Sequence, residues 1–274
     1  MNFIERIKIN KKKIKTNENI IKKLRTNVSK SLTFDQSFPN KLTNNVNSII
    51  PLNIFQTWHT KILPQGMAET VLQIKKMNPR FKHYLFDDAD CEHFIATHFK
   101  PDVLDAYRRL IPGAYKADLW RYCVLFIHGG IYLDIKYKPI NNFRFINLTE
   151  SEHLCYDTDN ANIYNAILIC KPKNKLCFKA IREIVKNVHN KYYGNCFLDP
   201  TGPGLLKKCI KEDNRFISTI DLKHKVLGES TNFRVIKYEN YYILKQYDQY
   251  INDYNRTSKT SHYSQLWNER RIYL

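Results

Sequence analysis

The stretch that decides the fold is Ala117-Asp118-Leu119-Trp120-Arg121-Tyr122, followed by Gly129-Gly130-Ile131-Tyr132-Leu133-Asp134-Ile135-Lys136. Its first part lies in a segment that is apolar on nearly every side, which is typical of a buried helix. Asp118 and Arg121 stand three residues apart on one face of that helix. Buried charges are costly unless they pair with each other or contact a ligand. The sequence therefore predicts a buried ion pair, a ligand site, or both.

The glycine pair at 129–130 predicts the end of this helix, because glycine readily takes the left-handed conformation at a helix C-terminus. Residues 131–133 then fit a short buried strand, and Asp134 stands at its carboxyl end. Ligands of α/β proteins bind at that edge of the sheet. We therefore expect the strand end and the charged helix to meet at one site.

Strand and helix patterns alternate from residue 49 onward. We predict strands at 49–57, 81–86, 131–134 and 164–170, and helices at 67–77, after Asp87, at 101–110, 112–128 and 176–188. A late hairpin is predicted at 233–236 and 241–244. This alternation predicts a mainly parallel sheet in an α/β fold.

These motifs resemble the sugar-binding region of family 32 glycosyltransferases, a group that includes fungal initiating mannosyltransferases and is related to glucosylating bacterial toxins. The strings that carry the resemblance are AD-x-x-RY and GG-x-Y-x-D quoted above, Ile54-Phe55-Gln56-Thr57-Trp58, Asn78-Pro79 with Tyr84-Leu85-Phe86-Asp87, and Thr201-Gly202-Pro203. The resemblance covers residues 49–210 and, less firmly, 262–267. It implies a GT-A fold, with a Rossmann-like nucleotide-binding sheet over 49–274, a donor-binding half at 49–140 and an acceptor-side half at 141–274.

The resemblance also implies a nucleotide-sugar site. The residues that it assigns to the donor are Gln56, Thr57, Trp58, Asp118, Arg121, Tyr132, Asp134, Lys136 and Trp267. Asp134, Asp118 and Arg121 are also assigned to catalysis, and the segment from His262 to Trp267 would close over the diphosphate. Each assignment has a structural alternative: a plain buried ion pair for the charged residues of the helix, and core packing for the tryptophans.

One departure from the family concerns metal binding. The family motif is Asp-x-Asp, whose carboxylates hold Mn²⁺ or Mg²⁺, and here the motif is Asp134-Ile135-Lys136. A metal could still bind through Asp134 and a late ligand such as His262, which is the alternative that we favour from the sequence. Alternatively, Lys136 could neutralise the diphosphate itself. The divalent cation is therefore an open question at this stage.

Positive charge is concentrated at the N-terminus. Residues 1–50 contain 11 Lys or Arg and 3 Asp or Glu, a net charge of +8 out of +18 for the chain. We predict that residues 1–48 form a basic extension, partly helical or flexible, that catalysis does not need. A periodic apolar face within residues 1–28 could contact an anionic membrane surface or a partner, belong to a flexible tail, or pack back on the catalytic domain.

Cysteine usage and hydropathy bear on the compartment. The seven cysteines include no C-x-x-C pair, which argues against a zinc site and suits a reducing compartment. Neither a signal-peptide pattern nor a run of about 18 apolar residues is recognisable. The sequence alone therefore predicts a cytoplasmic or peripheral membrane location.

Three functions compete. The leading hypothesis is a glycosyltransferase (a hexosyltransferase) that moves a sugar from a nucleotide-sugar to a glycan or glycoprotein acceptor, with retention of configuration. The second is a GT-A domain that lost its metal chemistry at Lys136 and only binds a glycan or nucleotide. The third, a basic nucleic-acid-binding protein, is the least favoured because no RNA or DNA motif is recognisable.

Overall fold

The computed structural model of the chain describes residues 36–41, 46–158, 162–211, 222–227 and 233–274. The strands are β1 Asn53–Thr57, β2 Lys82–Phe86, β3 Gly130–Leu133, β4 Tyr137–Pro139, β5 Cys155–Tyr156, β6 Ile167–Cys170, β7 Leu222–Leu227, β8 Phe233–Tyr238 and β9 Tyr241–Gln246. The helices are α1 Gln65–Met77, α2 Asp88–His98, α3 Pro101–Arg109, α4 Gly113–His128, α5 Lys175–His189, α6 Pro203–Lys211, α7 Tyr250–Thr257 and α8 Tyr263–Asn268, with a 3₁₀ turn at Phe145–Leu148.

The first sheet has the strand order β2-β1-β3-β6. Strands β1, β2 and β3 run parallel, and β6 pairs antiparallel with β3. Strands β3 and β6 are buried at every position, which is typical of a sheet covered by helices on both faces. This arrangement confirms the prediction of an α/β, GT-A fold with a Rossmann-like sheet. The division into halves at residue 140 stays a prediction.

Helix α4 is buried along most of its length, as its composition predicts. Trp120 and Tyr122 are fully buried, and the helix packs on α5 and on the sheet. The helix ends at Gly129, whose φ of 59° lies in the left-handed region. A Cβ atom at that position would lie 2.5 Å from the backbone nitrogen of Pro172, so no side chain fits there. The predicted role of the glycine in ending the helix is therefore confirmed.

A second sheet, with the order β4-β9-β8-β7-β5, lies after the first in the chain. The predicted late hairpin is its β8–β9 pair, which is antiparallel. Sequence patterns missed the other three strands for physical reasons. Strands β4 and β5 have only 3 and 2 residues, too few for a period to show. Strand β7 is rich in lysine and histidine, which are not typical of strands.

Part of the predicted N-terminal extension packs on the domain. Phe38 is buried, and its ring lies 5.0 Å from that of Phe143 and 5.2 Å from that of Tyr241. Its backbone N–H donates to Asn141 O at 2.7 Å. The boundary at residue 48 stays a prediction, but residues 36–41 lie against the domain. The amphipathic pattern within 1–28 lies outside the described residues.

Within the described ranges, no helix is both long and apolar enough to cross a bilayer.

A truncation series tests the contact made by Phe38. A chain that begins at residue 36 keeps Phe38 and is the reference. A chain that begins at residue 49, or the Phe38→Ala variant, should lose about 3 kcal/mol of unfolding free energy, because a buried ring is removed. Phe178→Ala is the matched control, since Phe178 is 46% exposed and its loss should cost little. Equal urea midpoints for the 36- and 49-start chains would contradict the contact.

Candidate active site

Asp134 is the first residue after β3, and its side chain lies among three donors. Its backbone N–H donates to Ala166 O at 2.7 Å, which fixes the strand end. Tyr132 Oη donates to Asp134 Oδ1 at 2.9 Å, and Lys136 Nζ donates to Oδ2 at 2.6 Å. Arg121 Nη1 lies 3.3 Å from Oδ1. Burial by itself would raise the pKa of Asp134, but Lys136 and Arg121 outweigh it and hold the pKa below its usual value.

Arg121 connects helix α4 to this strand end. Its Nη2 lies 3.1 Å from Asp118 Oδ1, so the predicted pairing of Asp118 with Arg121 is present, with side-chain exposures of 10% and 5%. Its Nη1 donates to Asn165 O at 2.6 Å, and its guanidinium stacks over the Tyr132 ring at 4.3 Å. The same guanidinium therefore contacts both carboxylates of the candidate site.

Two residues that sequence reasoning did not assign complete the surroundings of Asp118. Thr201 Oγ1 donates to Asp118 Oδ2 at 2.7 Å, and Asn165 Nδ2 donates to Oδ1 at 2.8 Å. Thr201 belongs to the predicted Thr-Gly-Pro loop before α6, whereas no motif pointed to Asn165. Burial raises the pKa of Asp118 above its usual value, although the charge of Arg121 lowers it. The roles of Asp118 in catalysis and in donor contact stay predictions.

The carboxyl end of β1 holds the predicted base-pocket residues. Gln56 is fully buried, and its Oε1 lies 2.7 Å from His83 Nε2. Burial lowers the pKa of His83 to about 4, so this ring is neutral at pH 7 and its Nε2–H can donate. Among the described residues, Gln56 Nε2 and Trp58 Nε1 are buried and find no partner. Buried donors are normally satisfied, so this pair is consistent with a ligand that brings acceptors.

Thr57 is engaged within the protein. Its Oγ1 donates to Phe86 O at 3.0 Å and lies 3.4 Å from Cys91 Sγ. These bonds tie β1 to β2 and α2. The assignment of Thr57 to the donor stays a prediction.

The C-terminal segment runs along the same edge of the sheet. The Tyr254 ring lies 6.1 Å from that of Trp58 and 6.4 Å from that of His262. Next in the chain, the Tyr263 ring lies 4.1 Å from His262. Trp267 Nε1 donates to Tyr193 O at 2.7 Å, and its assignment to the donor stays a prediction. The Tyr254 ring thus connects His262 to the predicted base pocket at Trp58.

The side chains at the motif do not suit a divalent cation. Such an ion takes several oxygen ligands, and Asp134 offers one carboxylate that already accepts from Lys136 and Tyr132. His262 Nδ1 is 2.7 Å from Ser264 Oγ. In the part of the chain that the structure describes, no three His, Cys, Asp or Glu residues are grouped to hold a metal ion. Metal binding by Asp134 and His262 therefore stays a prediction, and the groups around Asp134 are cationic.

A double-mutant cycle tests the ion pair of α4. Asp118→Asn or Arg121→Met alone should cost about 3–5 kcal/mol of unfolding free energy, because each leaves an unpaired buried charge. The double variant should cost clearly less than the sum. The control cycle uses Asp105 and Arg109, a pair at 3.5 Å whose side chains are 64% and 27% exposed, for which the coupling should be under about 1 kcal/mol. Additive costs at Asp118 and Arg121, measured by urea unfolding, would contradict the pairing.

Comparisons with known proteins show which family the sequence resembles. Residues 64–154 match the family described as "Glycosyltransferase sugar-binding region containing DXD motif". The chain is 33% identical over 129 residues to an initiation-specific alpha-1,6-mannosyltransferase of Candida albicans, covering 44% of this chain and 31% of that protein. It is 31% identical over 104 residues to inositol phosphoceramide mannosyltransferase 3 of Schizosaccharomyces pombe, covering 38% and 29%.

The chain thus spans about a third of the length of the curated relatives that it matches. Among solved structures, the PaToxG glycosyltransferase aligns with a TM-score of 0.46 at 14% identity, covering 74% of this chain and 80% of that one. The resemblance drawn from the sequence is confirmed over residues 64–154, which are similar to the glycosyltransferase sugar-binding region that contains the DXD motif.

Proposed function

We propose that the chain is a glycosyltransferase that moves a hexose from a nucleotide-sugar donor to a glycan or glycoprotein acceptor. The observation that carries this proposal is the ionised Asp134 at the carboxyl end of β3, held between Arg121 and Lys136 inside the matched region. Strand ends of this kind are where α/β sheets bind nucleotides. Retention of configuration is implied by the family resemblance and belongs to the proposal.

The donor would lie along the edge from β1 to β3. The buried donors of Gln56 and Trp58 suit the acceptor atoms of a base or ribose, and His83 holds the Gln56 amide in place. The sugar diphosphate would then reach the charged cluster at the end of β3. The departing nucleoside diphosphate gains negative charge, so cations placed there in advance stabilise the transition state.

The names of the relatives favour a mannosyl donor. Two of them are named as mannosyltransferases, so a mannose nucleotide is the first donor to test. A glycan or a protein acceptor would approach from the side of the C-terminal segment, where Tyr254 and His262 are half-buried or exposed. Contact of residues 1–28 with an anionic membrane surface stays a separate proposal, supported by their positive charge.

The second candidate is a protein that binds a nucleotide or glycan without transferring a sugar. One observation favours it: both oxygens of Asp134 already accept from groups of the protein, as in a structural ion pair. Turnover separates the two candidates. Release of nucleoside diphosphate from a panel of nucleotide-sugars supports the enzyme, and nucleotide binding without any release supports the binding protein.

Asp134→Asn tests the assignment of this carboxylate. We expect turnover of the preferred donor, per folded molecule, to fall by about two orders of magnitude, the scale of losing one key electrostatic contact. Stability should also fall, because Arg121 and Lys136 lose a charged partner. The folded fraction is therefore measured by circular dichroism in parallel.

Asp248→Asn is the matched control, since that side chain is 58% exposed and pairs with Lys245 at the surface. Its turnover should equal that of the native chain. Turnover of Asp134→Asn within about threefold of the native value, in a folded protein, would contradict the assignment.

A further inference from the structure

A cavity of about 650 Å³ lies between α3 and α5 and shares no residue with the candidate active site. Its lining comes from α3, from α5, from the end of α2 with the residues that follow it, and from the C-terminal part of α4. Phe126 lines it from α4, at about 12 Å along the helix axis from Asp118. Pockets that bind small molecules have volumes of about 300–1,000 Å³, so this cavity is large enough for a ligand.

Three phenylalanine rings form an apolar wall of the cavity. The rings of Phe126 and Phe178 are stacked with their centres 5.3 Å apart, and the Phe99 ring lies 6.3 Å from that of Phe126. Ile181 and Val185 follow Phe178 on the same face of α5 and extend the wall. Phe178 is 46% exposed, whereas most apolar residues of α5 are buried. The wall therefore offers apolar contacts that the fold itself does not use.

Three exposed cations line the same cavity. Lys100 precedes α3, and Arg182 and Lys186 are one turn apart on α5. The Arg182 guanidinium lies 6.0 Å from the centre of the Phe178 ring. Positive charge and an apolar wall thus occur side by side, which suits a ligand with an anionic group at the end of an apolar chain.

The acidic residues of the lining do not cancel this charge. Among the described residues, the lining contains four Lys or Arg and two Asp, an excess of two positive charges. Asp105 lies 3.5 Å from Arg109, so one carboxylate is already paired within α3. His98 and His189 also line the cavity and add only positive charge when they are protonated. The cavity is therefore complementary to an anion.

Charge and size narrow the choice of occupant. The chain carries a net charge of +18 and its first 50 residues carry +8, so neither a second copy nor the N-terminal extension is complementary in charge. An acidic helix of another protein is too large, because a helix is about 10–12 Å wide and two turns of it fill about 900 Å³ or more. A single alkyl chain with an anionic head group fits both the charge and the volume.

We propose that this cavity binds a free alkyl carboxylate, which is the chemistry of a fatty acid. The chain lies against the three phenylalanine rings, and the carboxylate accepts hydrogen bonds from Arg182 and Lys186. The site shares no residue with the candidate active site, so the inference does not depend on the proposed function.

Calorimetric titration of the full chain with hexanoate, octanoate and decanoate tests this proposal. Each methylene that leaves water for an apolar wall strengthens binding by up to about fourfold. We therefore expect one site, whose Kd falls by about tenfold for every two methylenes added. Decyltrimethylammonium carries the same chain as decanoate on a cationic head group, and we expect it not to bind.

Two variants locate the binding site. Phe178→Ala should weaken decanoate binding by about tenfold or more, because the exposed ring of the wall is lost. Lys186→Gln should weaken it by about fivefold, because a charge-assisted contact to the carboxylate is lost. The matched controls are Leu72→Ala and Lys76→Gln, which change an exposed apolar and an exposed cationic residue of α1. Both controls should bind decanoate as the native chain does.

Three results would overturn the proposal. The first is equal affinity for decanoate and decyltrimethylammonium. The second is native affinity for decanoate in both Phe178→Ala and Lys186→Gln. The third is binding to vesicles of phosphatidylcholine and phosphatidylglycerol in equal parts without binding of free decanoate, since a membrane surface would then be the occupant. None of these results bears on sugar transfer, so the glycosyltransferase proposal is tested separately.

Discussion

The buried guanidinium of Arg121 is the group on which the rest of the site depends. It is 5% exposed and lies within 3.3 Å of carboxylates on two different elements, Asp118 on α4 and Asp134 after β3. Removing a guanidinium from water is costly, and only partners on all sides offset that cost. The partners of Arg121 come from the helix, the strand end and the Asn165 carbonyl, so the site depends on the folded sheet.

That constraint also decides how much charge the site can offer a ligand. Two carboxylates and two cations at this depth nearly cancel, which keeps the cluster stable without a ligand. Any affinity for an anion must then come from groups outside this cluster. The buried donors of Gln56 and Trp58 lie outside it and find no partner within the described residues. In the proposed function, the residues that maintain the site would therefore differ from those that bind the donor.

The second sheet contributes an aromatic contact close to the charged cluster. It follows the Rossmann-like sheet in the chain, and its strand β7 carries His224. The His224 ring stacks on Tyr164 with centres 3.9 Å apart, and Lys136 Nζ lies 5.6 Å from the centre of the Tyr164 ring. A chain that ended at the motif would lack both rings.

The sequence by itself determined the elements whose signals are local. Helix α4, its stop at Gly129, the strand that follows and the pairing of Asp118 with Arg121 all come from residues within a few positions of each other. The apolar periodicity of a helix, the conformation of a glycine and the three-residue spacing of side chains on one helix face are all properties of neighbouring residues. Two of the strings that carry the family resemblance lie in the same stretch, so the resemblance was recognisable too.

Only the tertiary structure decided which distant residues complete the site. Asn165 and Thr201 meet Asp118 across 47 and 83 residues of chain, and no local period encodes such contacts. Phe38 packs on the domain although its segment is polar and basic, because one ring fits beside Phe143. Burial and charge balance are properties of the assembled fold, and for this reason the sequence could predict the pairing of Asp118 with Arg121 but not the Asn165 and Thr201 side chains that complete it.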